Sequence, residues 1–294
     1  MATQISTQTL SHLITQSMAI EAEDAAKAGA VGFMARALVQ ATLPHSKTAG
    51  NEFSRTNGNF TLSLLAPSHV GLPYGAIPRL LLSWMTTEAV RTKSRELELG
   101  DSLSGFMREL DLIPKAGRWG TTLRLKEQMT RLFASSVTCT YSDKRGVAMQ
   151  SVNVVDAAQL WWNPKDPKQA ALWKSTVSLG ERFYNEIIER PVPIDIRALA
   201  ALKRSPMALD IYLWLTYRMS YLNTPVSIPW AALSIQFGAG YKEVRQFRAA
   251  FLRELKRVLV VYPEAKVRVM DAGLDGGALM LLPSKTHIKS KGKA

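Results

Sequence analysis

The chain has 294 residues, of which 47% are hydrophobic and 21% are charged. This composition is typical of folded proteins and excludes a collagen-like or wholly disordered chain. There are 37 Lys and Arg residues against 24 Asp and Glu, a net charge of +13. Such an excess favours a polyanionic partner, with nucleic acid first and an anionic membrane second.

Cysteine content and hydropathy indicate the cellular compartment. Cys139 is the only cysteine, so no disulfide can form within the chain and a reducing compartment fits best. The apolar runs are shorter than the roughly 18 to 20 residues needed to span a bilayer, and the N-terminus lacks the charged-then-apolar pattern of a signal peptide. We therefore expect a soluble cytoplasmic protein, with Cys139 inside a strand.

Residues 1–58 are predicted to form an N-terminal extension that is partly helical. A helical pattern runs from about Met18 to Ala41, and a segment rich in Gly, Asn, Ser and Pro then indicates a loop. The helix could serve oligomerisation, contact host proteins or pack back on the first domain, and the sequence does not choose among these.

The first domain is predicted over residues 59–165 and begins with the alternating strand FTLSLL. A helix runs from Ile77 to Arg91 with Pro78 in its first turn. A second helix can be capped by Asp101 or Ser102. These elements are followed by a third helix and a hairpin.

The third helix combines an apolar face with a basic one. It follows GRWG, can be capped by Thr121 or Thr122, and carries Arg124, Gln128 and Arg131 at i, i+4 and i+7. The hairpin after it turns around residues 143–146, with Lys144 and Arg145 at the tip. This hairpin is predicted to be a wing.

The second domain is predicted over residues 166–284 and repeats the same plan after a proline-containing linker at 163–169. Its long helix carries six Lys or Arg between Tyr241 and Arg257, and Arg245, Arg248 and Lys256 are expected opposite the apolar stripe of Val244, Phe247, Phe251 and Leu255. A Gly-rich hairpin follows. Residues 285–294 are predicted to be a basic, disordered tail.

Sequence signals for catalysis are weak. The four histidines are scattered, and the sequence contains no HExxH, no CxxC pair and no GxxxxGK[ST] phosphate loop. We therefore predict a non-enzymatic protein with no cofactor, no metal and no catalytic residue. A primase or nuclease stays open as an alternative, and it would need a metal-binding carboxylate cluster.

The recurring order of helices, basic third helix and hairpin favours DNA binding. A basic face alone is usually a solvated surface, but two such faces, each followed by a hairpin, are typical of winged helices. In that fold the third helix enters the major groove and the hairpin tip lies over phosphates. The predicted fold class is α+β, with two tandem winged-helix domains.

One long segment also resembles a known family. The run GLPYGAIPRLLLSWMTTEAVRTKSRELELGDSLSGFMREL, with GRWG and RLKEQMTRLFASSV after it, resembles plasmid-encoded replication initiators of the RepA type. The resemblance covers Gly32 to Trp162 and continues more weakly to about Leu282. It implies a bacterial, cytoplasmic, non-enzymatic initiator that binds iteron repeats in a plasmid origin and promotes origin opening.

The resemblance also implies partners: double-stranded origin DNA, host proteins such as the replicative helicase, and a second copy in a homodimer when free. A winged-helix transcriptional repressor without initiator activity is the alternative, because it would use the same folds. The predicted base readers are Arg124, Gln128, Arg131, Arg245, Gln246 and Arg248, and the predicted phosphate contacts are Lys144, Arg145, Lys242 and Arg253. Arg118, Thr121, Thr122 and Lys256 complete the predicted DNA-binding set.

Overall fold

The computed structural model describes residues 7–115, 117, 120–163, 166–169, 174–238, 240–271 and 277–288. The helices are α1 Thr7–Ala22, α2 Arg36–Gln40, α3 Ala76–Thr92, α4 Leu103–Glu109, α5 Thr121–Phe133, α6 Glu181–Glu189, α7 Ile196–Leu202, α8 Pro206–Met219, α9 Trp230–Phe237 and α10 Val244–Val261. The strands are β1 Val31–Met34, β2 Glu52–Asn57, β3 Phe60–Leu65, β4 Glu96–Glu98, β5 Ser136–Asp143, β6 Gly146–Asn153, β7 Val155–Gln159, β8 Thr176–Leu179, β9 Val192–Asp195, β10 Val226–Pro229, β11 Val267–Met270 and β12 Ala278–Leu281. In the described residues these strands form four antiparallel sheets, and the predicted α+β class is confirmed.

The first structural unit consists of α3, β4, α4, α5, β7 and β8. In α3, Leu81, Met85 and Ala89 are buried at helical spacing. Ser102 caps α4 by accepting a hydrogen bond from the N–H of Gly105 (3.2 Å). The local signals in this stretch are therefore realised in the fold.

The sheet of the first unit has the strand order β4-β8-β7. Leu97 in β4 lies opposite Val177 in β8, and both side chains are buried. β7 and β8 lie on either side of residue 165, where the sequence predicted a domain boundary, yet they pair with each other. The segment between them therefore joins two strands of one sheet, which extends to Leu179.

β2, β3, β5 and β6 form a separate four-stranded sheet in that order. The predicted hairpin around residues 143–146 is present, since Asp143 Oδ1 accepts hydrogen bonds from the N–H groups of Arg145 (2.8 Å) and Gly146 (3.2 Å). Its strand β5 pairs with β3, however, and not with the sheet that contains β4. The prediction of this hairpin as the wing of the first unit was therefore wrong. β2 lies where a loop was predicted, because it pairs with β3 along its whole length.

The N-terminal segment does not form the single helix predicted from Met18 to Ala41. Gly29 has a φ of 63°, a left-handed conformation that glycine adopts without steric cost, and β1 and α2 follow it. β1 pairs with β9, about 160 residues away. A Cβ on Gly32 would lie 2.5 Å from the side chain of Ile196, so this strand contact requires glycine.

α1 packs against the C-terminal half of the chain. The Ser17 hydroxyl donates to the carbonyl of Val260 in α10 (2.5 Å). Arg197, at the start of α7, donates to the carbonyls of Ala19 (3.3 Å) and Glu23 (3.0 Å). The sequence left open whether the extension packs on the first domain; α1 instead packs on α7 and α10.

The second unit consists of α8, β10, α9, α10, β11 and β12, and its sheet has the order β10-β12-β11. Both units thus share one order: helix, strand, helix, helix and two strands, with the last strand in the middle of the sheet. Phe247, Phe251 and Leu255 are buried as predicted, whereas Val244 is exposed. Phe251 contacts the ring of Trp230 at a centroid distance of 5.7 Å, an edge-to-face geometry.

A buried ion pair joins α3 of the first unit to α8 of the second. Arg79 and Asp210 are almost fully buried and bond twice, Nε to Oδ1 and Nη2 to Oδ2, each at 2.6 Å. Arg79 also donates to the Leu43 carbonyl (2.8 Å), and His45 Nε2 bonds Asp210 Oδ2 (2.7 Å). This network holds the two units and the segment before β2 in one arrangement.

Burial alone would raise the pKa of Asp210, but Arg79 and the hydrogen bond from His45 lower it below its ordinary value. Burial lowers the pKa of His45, against the raising effect of Asp210. The network therefore carries one carboxylate and one guanidinium, with a neutral imidazole beside them near neutral pH.

The start of the predicted disordered tail is packed against the second unit. The Tyr262 hydroxyl donates to the Lys285 carbonyl (2.8 Å). His287 lies 2.8 Å from the Tyr212 hydroxyl and stacks on the Tyr262 ring at 4.6 Å between centroids. The prediction was therefore wrong for residues 285–288, and residues 289–294 lie outside the described chain.

Candidate nucleic-acid interface

The N-terminal turn of α5 is tied to the loop that precedes it. Gly120 is the N-cap, not Thr121 or Thr122 as predicted. The Thr121 hydroxyl donates to the Ile113 carbonyl (2.5 Å), and the Thr122 hydroxyl donates to the Lys115 carbonyl (3.0 Å). These two threonines tie the start of α5 to Ile113 and Lys115, and Thr122 is fully buried.

The predicted basic stripe of α5 is largely covered by residues 71–74. Gln128 is buried, and its Oε1 accepts a hydrogen bond from the N–H of Tyr74 (2.8 Å). Arg131 donates to the Leu72 carbonyl (3.2 Å) and pairs with Glu127 (2.9 Å), and its guanidinium lies 5.5 Å from the Tyr74 ring centroid. The structure thus places Gln128 and Arg131 in intramolecular contacts.

Gly71 allows the left-handed backbone turn at the start of the covering segment. Its φ is 76°, and a Cβ at this position would lie 2.5 Å from Arg131 Nη1. Of the three residues predicted to read bases from α5, only Arg124 is exposed. Arg118 lies outside the residues that the structure describes, so its DNA contact stays a prediction.

The tip of the β5–β6 hairpin is fully open. The Arg145 side chain is 91% exposed and pairs with Asp143 at 3.2 Å. Lys144 is exposed and makes no hydrogen bond or ion pair with the described residues. The hydrogen bond from the backbone N–H of Arg145 is the largest of the effects that lower the pKa of Asp143. Both cations can reach an anionic partner without breaking a buried contact.

α10 presents an exposed polar face along most of its length. Arg245, Gln246, Arg253 and Lys256 are exposed, with the small Ala249 between them, and Lys242 precedes the helix. Within the described residues, Arg253 bonds Glu254 (3.0 Å), whereas the other four polar side chains have no such partner. The stripe is open to solvent and cationic.

Arg248 does not belong to this stripe, although the sequence grouped it with Arg245 and Lys256. It pairs with Asp271 at the end of β11, and its guanidinium lies 5.4 Å from the Trp230 ring centroid. It therefore connects α10 to the sheet of its own unit. Helical spacing within α10 could not predict these contacts, because Asp271 and Trp230 lie outside α10.

Sequence reasoning also missed a second group of cations. Lys47, Lys115, Lys203 and Arg204 line a cleft of about 680 Å³ beside Arg124. They come from three separate segments, so periodicity within one helix could not group them. Within this group, only the adjacent Lys203 and Arg204 before α8 form a cationic cluster that is visible in the sequence.

The described residues give no support for a metal or thiol chemistry. No group of three or more His, Cys, Asp or Glu in them could hold a metal ion. Burial raises the pKa of the Cys139 thiol to about 12, so the reactive thiolate is scarce at neutral pH. The described helices include none that is long and apolar enough to cross a membrane.

The fold has counterparts among solved structures. A crystal structure of selenomethionine derivatives of domains 2 and 3 of RctB matches with a TM-score of 0.54 and 10% identity, over 83% of this chain and 95% of that chain. A crystal structure of the RctB domains 2-3 matches with a TM-score of 0.48 and 11% identity, over 83% of this chain and 94% of that chain. At this identity the first likeness concerns the fold alone.

The sequence itself matches a family model. No curated protein matches the chain. The model described as plasmid encoded RepA protein matches residues 72–229, which include α3 to α8 and residues 72–74 of the covering segment on α5. The resemblance found in the sequence is thereby confirmed. Since the match spans more than half of the 294 residues, this protein belongs to the family of plasmid-encoded RepA proteins.

Proposed function

We propose that this protein initiates plasmid DNA replication by binding duplex DNA at the origin through two winged-helix units. Membership in the RepA family supports a role in replication initiation. The observation that carries the DNA-binding mode is the open cationic stripe on α10, the third helix of its unit. An exposed row of cations on such a helix, in which Arg253 has an ion-pair partner within the described residues and the others have none, suits insertion into a major groove.

The polar side chains of the α10 face take two roles in this proposal. Arg245 and Gln246 lie in the first turn and read base edges, because Arg bonds guanine and Gln bonds adenine bidentately. Lys242, Arg253 and Lys256 contact phosphates, which set the register of the protein on the duplex. In the first unit, Arg124 is the exposed reader. Lys144 and Arg145, at the tip of the separate β5–β6 hairpin, supply phosphate contacts.

The remaining steps follow the family resemblance. The DNA sites are iteron repeats, and binding promotes opening of the origin and recruitment of the host replicative helicase. The free protein forms a homodimer, and the protein acts in the bacterial cytoplasm without a cofactor or enzymatic activity. In this scheme the protein is a binding platform that organises DNA and partners.

The test is a titration of the purified protein against fragments of its plasmid origin and a length-matched random duplex at two salt concentrations. A preference of roughly a thousandfold or more, with periodic protection over direct repeats, supports the proposal. Equal and steeply salt-dependent binding to both duplexes contradicts it, because the cationic faces would then be a general polyanion surface.

A transcriptional repressor could use the same stripe on α10. The discriminating experiment places the cognate origin fragment on a plasmid that lacks its own initiator gene and supplies the protein in trans. Replication of that plasmid supports an initiator. Specific binding without replication, together with repression of a promoter at the same sites, favours the repressor.

A further inference from the structure

A cleft of about 680 Å³ lies where the two units meet. One wall comes from the start of α3 and residues 45–47, and another from residues 111–115 and the first two turns of α5. The junction between α7 and α8 closes the third side with Lys203, Arg204 and Pro206. The cleft therefore lies beside the only exposed predicted reader of α5, Arg124.

The charged residues lining this cleft are mainly cationic: Lys47, Lys115, Arg124, Lys203 and Arg204 against Asp111 and Glu127. Both acids are already engaged, Asp111 with Lys203 and Glu127 with Arg131. The other four cations are exposed and have no ion-pair partner among the described residues. The cleft thus carries positive charge that the folded chain does not neutralise.

The deeper groups do not offset this charge. His45 lines the cleft, and its lowered pKa keeps it neutral near neutral pH. Asp210 behind it is neutralised by its paired bonds to Arg79. Ile77 and Leu80 form an apolar floor, so an anion entering the cleft meets cations at the rim and, among the described residues, no unpaired carboxylate below.

We propose that this cleft binds the sugar–phosphate backbone of the origin duplex, in addition to the contacts made by α10. The four unpaired cations lie on four separate segments, an arrangement that suits a linear polyanion with successive charges better than a single phosphate group. The inference rests on the proposed DNA-binding function and extends it to a site between the units. In this proposal Arg124, which lies on α5 and lines the cleft, contacts the duplex next to the backbone that the cleft holds.

The test compares a cleft variant with a matched surface variant. Lys47→Gln/Arg204→Gln removes two unpaired cations that line the cleft but belong to neither third helix. Lys27→Gln/Arg182→Gln removes two exposed cations that lie outside the cleft and have no ion pair among the described residues. Each protein is titrated with origin and random duplexes at several salt concentrations, and thermal melting confirms that it is folded.

We expect the cleft variant to lose affinity for both duplexes, with a log–log salt slope shallower by about 2, because each lost phosphate contact removes about 0.9 from the slope. The surface variant should keep the slope of the unchanged protein. Lys115→Gln, on an exposed loop, provides an independent version with a slope shallower by about 1.

Three results overturn the inference. A folded cleft variant with unchanged slope and affinity shows that the cleft holds no DNA, while origin binding by the unchanged protein leaves the proposed function standing. Equal losses of affinity in the cleft and surface variants would show that the loss comes from the lower net charge and not from the cleft. Failure of the unchanged protein to bind origin DNA overturns the proposed function, and the cleft inference with it.

Discussion

The third helices of the two units, α5 and α10, begin from similar sequence patterns and end in different environments. In α5 the segment at residues 71–74 covers Gln128 and Arg131 and leaves Arg124 open. In α10 the exposed face from Arg245 to Lys256 is free of such a cover. A basic stripe on a helix therefore becomes a binding surface only where the rest of the chain leaves it uncovered.

The largest effect is expected from breaking the contact that fixes the two helices relative to each other. Asp210→Ala leaves Arg79 buried without its counter-ion and should reduce the free energy of unfolding by about 3–5 kcal/mol. Chemical denaturation measures this loss. A change below about 1 kcal/mol would mean that the ion pair does not hold the units together.

The comparison predicts that the covered residues of α5 matter for stability. Gln128→Ala removes the acceptor of the part-buried Tyr74 N–H, and leaving that group without its partner should cost about 1 kcal/mol of unfolding free energy. The variant that remains folded should bind origin DNA with unchanged preference over random DNA. Full stability combined with lost preference would show that Gln128 faces DNA and that the cover opens.

The open residues of α10 should show the reverse behaviour. Arg245→Ala removes a proposed guanine contact and should weaken origin binding by about 1–3 kcal/mol, with a smaller loss on random duplex. Stability should change little, because Arg245 is exposed and unpaired in the described chain. Equal losses on both duplexes would assign Arg245 to phosphate instead of bases.

The pH dependence of stability offers a finer test of the packing around the two units. His45 lies beside the Arg79–Asp210 pair that joins the units, and His287 packs on the second unit. Burial is the main cause that lowers the pKa values of His45 and His287 below the ordinary 6.5. The unfolded chain then binds protons that the folded chain does not, so unfolding free energy should fall as the pH drops below about 6.5. The paired Asp210, with its lowered pKa, loses its contribution only in more acidic solution.

Denaturation at pH values of about 7.5 and 5.5 measures this effect. His287→Gln should reduce the pH dependence while leaving the part due to His45. The same unfolding free energy at both pH values in the unchanged protein would contradict the assignment of two neutral, buried imidazoles.

The smallest effect is expected from Lys256→Ala at the C-terminal part of the α10 stripe. A single phosphate contact should lower affinity for origin and random duplexes alike and make the salt slope shallower by about 1. A sequence-selective loss would instead place Lys256 next to base edges.

Local sequence signals predicted much of the fold. The helix predicted from Ile77 to Arg91 is α3, and both hairpins and the helices of the second half are present. These elements depend on periodicity, proline placement and turn residues within a few positions of each other. The α+β class followed from them.

The errors concern contacts between distant parts of the chain. The pairing of β1 with β9 and the placement of β5 beside β3 have no signature within a single window of sequence. The cover on Gln128 has the same origin, since Tyr74 lies 54 residues earlier. For the candidate site, the sequence predicted which helices carry cations, and tertiary packing decided which cations remain accessible.

The central claim is that α10 reads DNA with its open stripe while the covered residues of α5 support the fold. The most direct measurement is the ratio of origin to random-duplex affinity for Arg245→Ala and Gln128→Ala, compared with the unchanged protein under the same salt conditions. We predict a ratio lowered by about 5- to 150-fold for Arg245→Ala, corresponding to about 1–3 kcal/mol, and an unchanged ratio for Gln128→Ala. A lowered ratio for Gln128→Ala with an unchanged one for Arg245→Ala would contradict the account.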